Sequence, residues 1–182
     1  MKMVRMFSIA LLCCLTAPVM FTQAQEAPKT LAETYDQLLT LAEKQIVSAA
    51  QAMPADKYDF APTAGEYKGV RTFAQQVKHL TEANYGFFNG WGVPGAVKRD
   101  DIEKLTSKDD LVKALQDSYA YAHKAIASLN TTNYLEPQSF GPAKSTRAGA
   151  AAFCIAHSMD HYGQMVEYLR MNGIVPPASR RG

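Results

Sequence analysis

Apolar residues recur at helical spacing in four separate stretches of the chain, and each stretch opens on a residue suited to capping a helix. The first begins at Thr30, which with Glu33 forms a capping box. It continues through Leu31, Tyr35, Leu38, Leu39, Ala42, Ile46, Ala49 and Met53 until Pro54 ends the pattern. Asp36, Thr40, Glu43 and Lys44 fall on the opposite side, so one face is buried. The second stretch opens on Thr72 with Gln75 and runs to about Asn89, with Phe73, Val77, Leu80, Asn84 and Phe87 on its stripe. Ser107 and Asp110 open the third, in which Leu111, Leu115, Ser118, Tyr119, Ala122, Ala125, Ile126 and Leu129 share a face that ends near Asn130. The fourth starts near Ser145 or Thr146 and runs to Met171, where Asn172-Gly173 and then Pro176-Pro177 stop it.

The connections between these helices are long. Ala55 to Arg71 holds Pro62, Gly65 and Gly69 among aromatic residues, and reads as an ordered loop lying over a core. Gly90 to Thr106 is a second connection, and Thr131 to Lys144, with Pro137, Gly141 and Pro142, is a third with room to rim a pocket. Neither an internal repeat, a heptad run nor a strand-rich region appears. The expected architecture is all-α: a four-helix bundle with long ordered loops.

Composition changes this picture mainly at the front end. Lys2 and Arg5 precede an apolar run from Phe7 to Phe21, and Thr22-Gln23-Ala24 is a small-x-small cleavage site, so residues 1–24 read as a signal peptide and 25–182 as the mature domain. The run is short for a membrane span, so the expected location is periplasmic or secreted after cleavage. Cleavage would remove two of the 19 basic residues and none of the 17 acidic ones, leaving the mature charge balanced. With no basic run, the chain carries no footprint for nucleic acid. Cys13 and Cys14 fall in the signal, so the mature domain keeps only Cys154 and has no internal disulfide to rely on.

The chemistry concentrates in the fourth helix. His157 and His161 stand four apart, and on a helix such residues share a face about 5 to 6 Å apart. At 100° per residue they fall in one sector with Phe153, Cys154, Gln164, Met165 and Tyr168, while Asp160, Glu167 and Arg170 point elsewhere, so both histidines are expected to face the core. A buried imidazole without a partner costs about 1 to 3 kcal/mol, and a bundle that needed only stability would carry Leu there. Two such imidazoles one turn apart therefore suggest shared ligation of a divalent ion. His79, on the flank of the second helix, is the best third donor, although periodicity alone does not bury it.

Phe60-x-Pro62, then Arg71-Thr72-Phe73 ahead of His79, then His157-x-x-Asp160-His161-Tyr162-Gly163-Gln164, and finally Tyr168-Leu169-Arg170-x-Asn172-Gly173-Ile174-Val175-Pro176-Pro177 follow one another in an order and spacing that resembles the DinB-like (YfiT-like) metal-binding four-helix bundles. The resemblance implies a divalent metal, zinc or nickel most often, on one histidine of the second helix and two of the fourth. By position these are His79, His157 and His161. It also implies a range of activity, since relatives include thiol-dependent transferases and an isomerase using a low-molecular-weight thiol, and it makes a homodimer plausible.

Three neutral imidazoles leave part of an ion's coordination open, the pattern of catalytic sites. The expectation is therefore a metal-dependent hydrolase or transferase of small molecules, in which the ion activates water or a thiol; the alternative is a bundle that binds metal or ligand without turnover. Gln164, one turn past His161, is placed either to hydrogen-bond a bound water or ligating ring or to satisfy backbone. Glu82, three residues after His79, is a candidate general base, with a solvated helix-face carboxylate as the plainer reading. Cys154 reads as a small buried hydrophobe, Asp160 as surface or supporting and not a ligand, and His123 as a half-exposed structural histidine. Trp91, Phe87, Phe88, Tyr67 and Phe140 either line a pocket mouth or pack over the bundle end.

Overall fold

In the computed structural model the four stretches form helices α1 (Leu31–Ala52), α2 (Phe73–Phe87), α4 (Lys108–Ala127) and α5 (Arg147–Met171), with a short helix α3 (Arg99–Glu103) before α4. A two-stranded antiparallel hairpin, β1 (Pro137–Phe140) and β2 (Ala143–Thr146), precedes α5 and pairs Pro137 with Thr146 and Phe140 with Ala143. The structure describes residues 27–140 and 143–180, so the predicted signal peptide lies outside it. None of the described helices is long and apolar enough to cross a membrane.

Local chemistry sets the helix ends. Thr30 and Thr72 accept from the backbone N–H of Glu33 and Gln75, whose side chains accept in return from the threonine N–H groups, so both capping boxes form. Ser107 and Thr146 cap α4 and α5 by accepting from Asp110 and Gly149. At the far end of α5, Gly173 takes φ +73° and its N–H donates to the Arg170 carbonyl, while Ile174 N–H reaches back to Leu169, both at 2.9 Å. This reversal needs the left-handed conformation that glycine adopts without a Cβ clash.

The helices pack around a square in which α1 touches α5 and α4, and α2 touches α4 and α5. The core is continuous through Leu39, Ile46, Phe73, Leu80, Leu115, Tyr119, Ile126, Met165 and Leu169. Leu31 and Leu38, expected on the buried face, are 39% and 44% exposed. They sit about 80° and 100° around α1 from Leu39 and so lie on the margin of its stripe. The loop before α2 is strapped down: Phe73 and Ala74 N–H donate to the carbonyls of Phe60 and Tyr58 at 2.9 and 2.8 Å, and the Tyr58 hydroxyl donates to the Ala50 carbonyl at 2.7 Å.

Two expectations are corrected. The connection from Gly90 to Thr106 contains α3, a helix of five residues and too short to show a period. Ile102 anchors it at 2% exposure, and Asp100 and Asp101 sit favourably in its first turn. The connection from Thr131 to Lys144 contains the hairpin, whose β1 carries one apolar residue, Phe140, and so lacks the alternation that marks a half-buried strand.

Candidate metal centre

Because α2 and α5 are neighbours in the bundle, the flank of α2 that carries His79 faces the sector of α5 that carries His157 and His161. The ring centroids lie 5.0 Å apart for His79 and His157, 4.8 Å for His79 and His161, and 4.4 Å for His157 and His161. One nitrogen from each ring can be chosen so that the three lie within 4.8 Å of one another. His161 is 4% exposed, as expected of a core-facing residue, whereas His157 is only half-buried and marks the rim of the core. Phe153 stacks on the His157 ring at 6.0 Å and is itself 46% exposed, so this part of the α5 sector opens outward.

A chain of hydrogen bonds fixes the orientation of His161. The Asp160 carboxylate can only accept, so the Gln164 amide donates to it at 3.2 Å. That leaves the Gln164 oxygen to accept from the Gln76 amide at 2.8 Å, and the Gln76 oxygen to accept from His161 Nδ1–H at 2.7 Å. With its proton on Nδ1, His161 presents the bare lone pair of Nε2. Gln164 therefore acts on the ring through Gln76, and Asp160 anchors the relay from outside. Gln76 was missed in the sequence, although its position three residues after Phe73 and four before Leu80 places it on the inner arc of α2, where it is 1% exposed.

The site holds its imidazoles neutral. Burial, the Arg71 guanidinium, the neighbouring His157 and Arg99 together push His79 down to about 4. Burial also pushes His161 down to about 4, aided by His157 and His79. His157 is lowered by burial too, against the opposing field of Asp160. The Nε2 atom of His157 is buried and has no hydrogen-bond partner. An orphaned ring nitrogen, a second ring whose tautomer is fixed, and a third held neutral together make a donor set that fits a divalent cation.

Two cavities open beside His79. One of about 550 Å³ is lined by Arg71, Glu82, Tyr85, Val97 and Ile102, and one of about 440 Å³ by Arg71, Gln76, Lys78, Glu103 and Gln164; His79, Glu82 and Arg99 border both. A larger cavity of about 800 Å³, between the start of α1 and the end of α4, is lined by no histidine. Glu82 is not the solvated carboxylate that the plainer sequence reading gave. Its side chain is 13% exposed, Oε2 meets Arg99 Nε at 3.2 Å, and Oε1 is buried without a partner. Burial raises its pKa, with Arg99 opposing and Glu103 adding to the rise. The reason lies in α3, which brings Arg99 over this face of α2.

The remaining sequence candidates divide between structure and rim. Cys154 is fully buried, donates to Asn84 Oδ1 at 3.5 Å, and its thiol is pushed up to about 12 by burial. His123 is half-buried between Asp36 at 2.6 Å and Glu43 at 3.1 Å, both on the polar side of α1, and so ties α4 to α1. Phe88 and Trp91 are core residues, and Tyr67 is an exposed loop residue. Phe87 and Phe140 do border the centre: Phe87 meets His157 edge-on at 5.4 Å, and Phe140 stacks on Phe153 at 5.0 Å.

Comparison with known proteins places this arrangement. Among solved structures, a DinB-like protein from Bacillus cereus ATCC 10987 superposes with a TM-score of 0.67 at 16% identity, over 80% of this chain and 95% of that one. The DinB-like protein YjoA from Bacillus subtilis does so with a TM-score of 0.62 at 15% identity, over 82% and 99%. At such identities the likeness is one of fold. A search of curated proteins gives no match. The DinB superfamily profile matches residues 38–165, from the middle of α1 to the second half of α5 and across all three histidines, and on that match the chain belongs to the DinB superfamily.

Proposed function

We propose that His79, His157 and His161 hold a divalent cation, zinc or nickel, and that the protein uses it as a hydrolase or transferase of small molecules. The observation that carries this reading is that three neutral imidazoles bring one nitrogen each within 4.8 Å of one another, with His161 fixed by Gln76 and the buried Nε2 of His157 left without a partner. A bundle stabilised for its own sake would satisfy that nitrogen or replace it. When bound by three protein ligands, such an ion polarises a substrate carbonyl or phosphoryl oxygen and acidifies water or a thiol.

The residues of the chain divide the remaining work. Gln76, with Gln164 and Asp160 behind it, keeps the proton of His161 on Nδ1. Glu82 borders both cavities at His79 and has one oxygen on Arg99 and the other free, so it is the group placed to accept a proton from the attacking nucleophile. Its raised pKa moves it toward the range in which a carboxylate exchanges protons near neutral pH. Phe87, Phe140 and Phe153 form an apolar wall on the His157 side. A non-catalytic binding role has one observation in its favour, the engagement of Glu82 Oε2 by Arg99.

The test is elemental analysis of protein purified without added metal, followed by a screen of esters, amides, phosphoesters and thiol adducts with zinc- and nickel-loaded wild type and His161→Ala. Stoichiometric metal and turnover that disappears in His161→Ala are expected. Metal without turnover leaves the binding role, and absence of metal refutes the centre itself.

A further inference from the structure

The cavities beside His79 hold more positive side chains than they can neutralise. Lys78 donates to the Glu103 backbone carbonyl at 2.6 Å and faces its carboxylate at 3.8 Å. Arg99 is shared between Glu82 at 3.2 Å and Glu103 at 3.6 Å. Each of these two carboxylates thus already faces a cation. Arg71 borders both cavities together with His79, and among the described residues no carboxylate pairs with its guanidinium.

The position of Arg71 is built rather than incidental to a mobile loop. Its carbonyl accepts from the Tyr168 hydroxyl at 2.8 Å, and Tyr168 lies on α5 two turns beyond His161. The next residue is the cap of α2, and Phe73 N–H is tied to Phe60 at 2.9 Å. The root of the side chain is thus fixed to the two helices that carry the histidines. From there the guanidinium acts electrostatically on all three rings, lowering the pKa of each.

An unpaired guanidinium beside a site for a divalent cation weakens that site by like-charge repulsion. The arrangement becomes favourable when an anion lies between the two. Arginine is also the side chain whose planar fork matches an oxyanion in two hydrogen bonds. We propose that Arg71 is the specificity residue of this site, and that the substrate carries an oxyanion, carboxylate or phosphate, held by Arg71 while its reacting group lies at the three imidazoles. This rests on the reading of those imidazoles as a metal centre.

The experiment uses the full domain loaded with Co²⁺, whose visible spectrum reports on ligation. The probes are short alkyl hydroxamates ending in methyl, carboxylate or phosphonate, titrated into wild type, Arg71→Gln and Arg71→Lys. A charge-assisted hydrogen bond corresponds to an affinity ratio of about 10 or more, so an anionic probe should bind wild type at least about tenfold tighter than the methyl probe. The preferred anion distinguishes carboxylate from phosphate. The preference should vanish in Arg71→Gln and partly survive in Arg71→Lys, while Co²⁺ affinity without probe stays equal or rises in Arg71→Gln. Equal affinities for charged and neutral probes in wild type, a preference unchanged in Arg71→Gln, or weakened Co²⁺ binding in that variant each overturn the proposal. Failure of wild type to take up Co²⁺ overturns the metal centre and this proposal together, whereas uptake without an Arg71-dependent preference overturns this proposal alone.

Discussion

Replacing Gln76 by Leu should weaken metal binding more than it weakens the fold. Gln76 is 1% exposed and its oxygen is the acceptor for His161 Nδ1–H at 2.7 Å. Without metal, the variant has an escape, because the His161 proton can move to Nε2 and turn the ring into a donor toward its neighbours. With metal, Nε2 is occupied and the proton must stay on Nδ1, now buried without an acceptor. That penalty, about 1 to 3 kcal/mol, falls on the loaded form alone and corresponds to roughly 5- to 150-fold in affinity. Losses of about 10- to 100-fold are usual when the partner of a ligating histidine is removed.

The assay is competition for Zn²⁺ against a chromophoric chelator, with thermal unfolding of the metal-free protein measured beside it to show that the variant is folded. Gln76→Glu retains the acceptor and should recover most of the affinity. A folded Gln76→Leu protein that binds Zn²⁺ within about twofold of wild type would refute the relay, because an unsatisfied N–H in the loaded form cannot cost so little.

Three further outcomes follow from the same geometry. His79→Ala should lose stoichiometric metal after dialysis against a weak chelator, as read by elemental analysis, since it removes the only ligand supplied by α2. Stability of the metal-free protein should rise with pH between about 4 and 6.5. His79 and His161 bind protons only near 4 when folded but near 6.5 when unfolded, so in that window the unfolded chain binds more protons. The stabilisation is complete above 6.5 and lost as pH falls toward 4, and urea unfolding at several pH values reads the slope; a flat profile contradicts it. Cys154, fully buried and with its thiol pushed up to about 12, should resist iodoacetamide at pH 8 until denaturant is added, as followed by mass spectrometry.

Periodicity along the chain was enough to read the four long helices and their caps, because each stripe is several turns long and each start carries Thr or Ser at the cap position. It was also enough to single out His157 and His161, whose common face follows from their spacing. It could not bring His79 to them. A period says which side of a helix is apolar and nothing about which helix packs there, so the meeting of α2 and α5 came from the family resemblance and then from the structure. Residues that depend on such a meeting stay hidden in one dimension. Gln76 looks like an ordinary polar position until α5 supplies His161 and Gln164 opposite it. Glu82 looks solvated until α3, too short to be seen in the sequence, lays Arg99 across it.

That difference also separates what the bundle needs from what the site needs. The core requires mainly apolar volume on facing stripes, and several of its buried polar residues pair locally: Asn84 donates to Ser118 at 3.0 Å, and the Tyr119 hydroxyl to Ser158 at 3.0 Å, while Gln45 Oε1 and Trp91 Nε1 stay singly unpaired. Around the histidines the unpaired groups are gathered together. His157 Nε2 and Glu82 Oε1 are buried without a hydrogen-bond partner, and beside them the exposed Arg71 is a donor without a carboxylate. Buried groups left unsatisfied cost free energy that a stable fold otherwise avoids. Two buried atoms without partners and one guanidinium without a carboxylate, gathered at a single corner of the bundle, are what a cation and an anionic ligand, bound together, would satisfy.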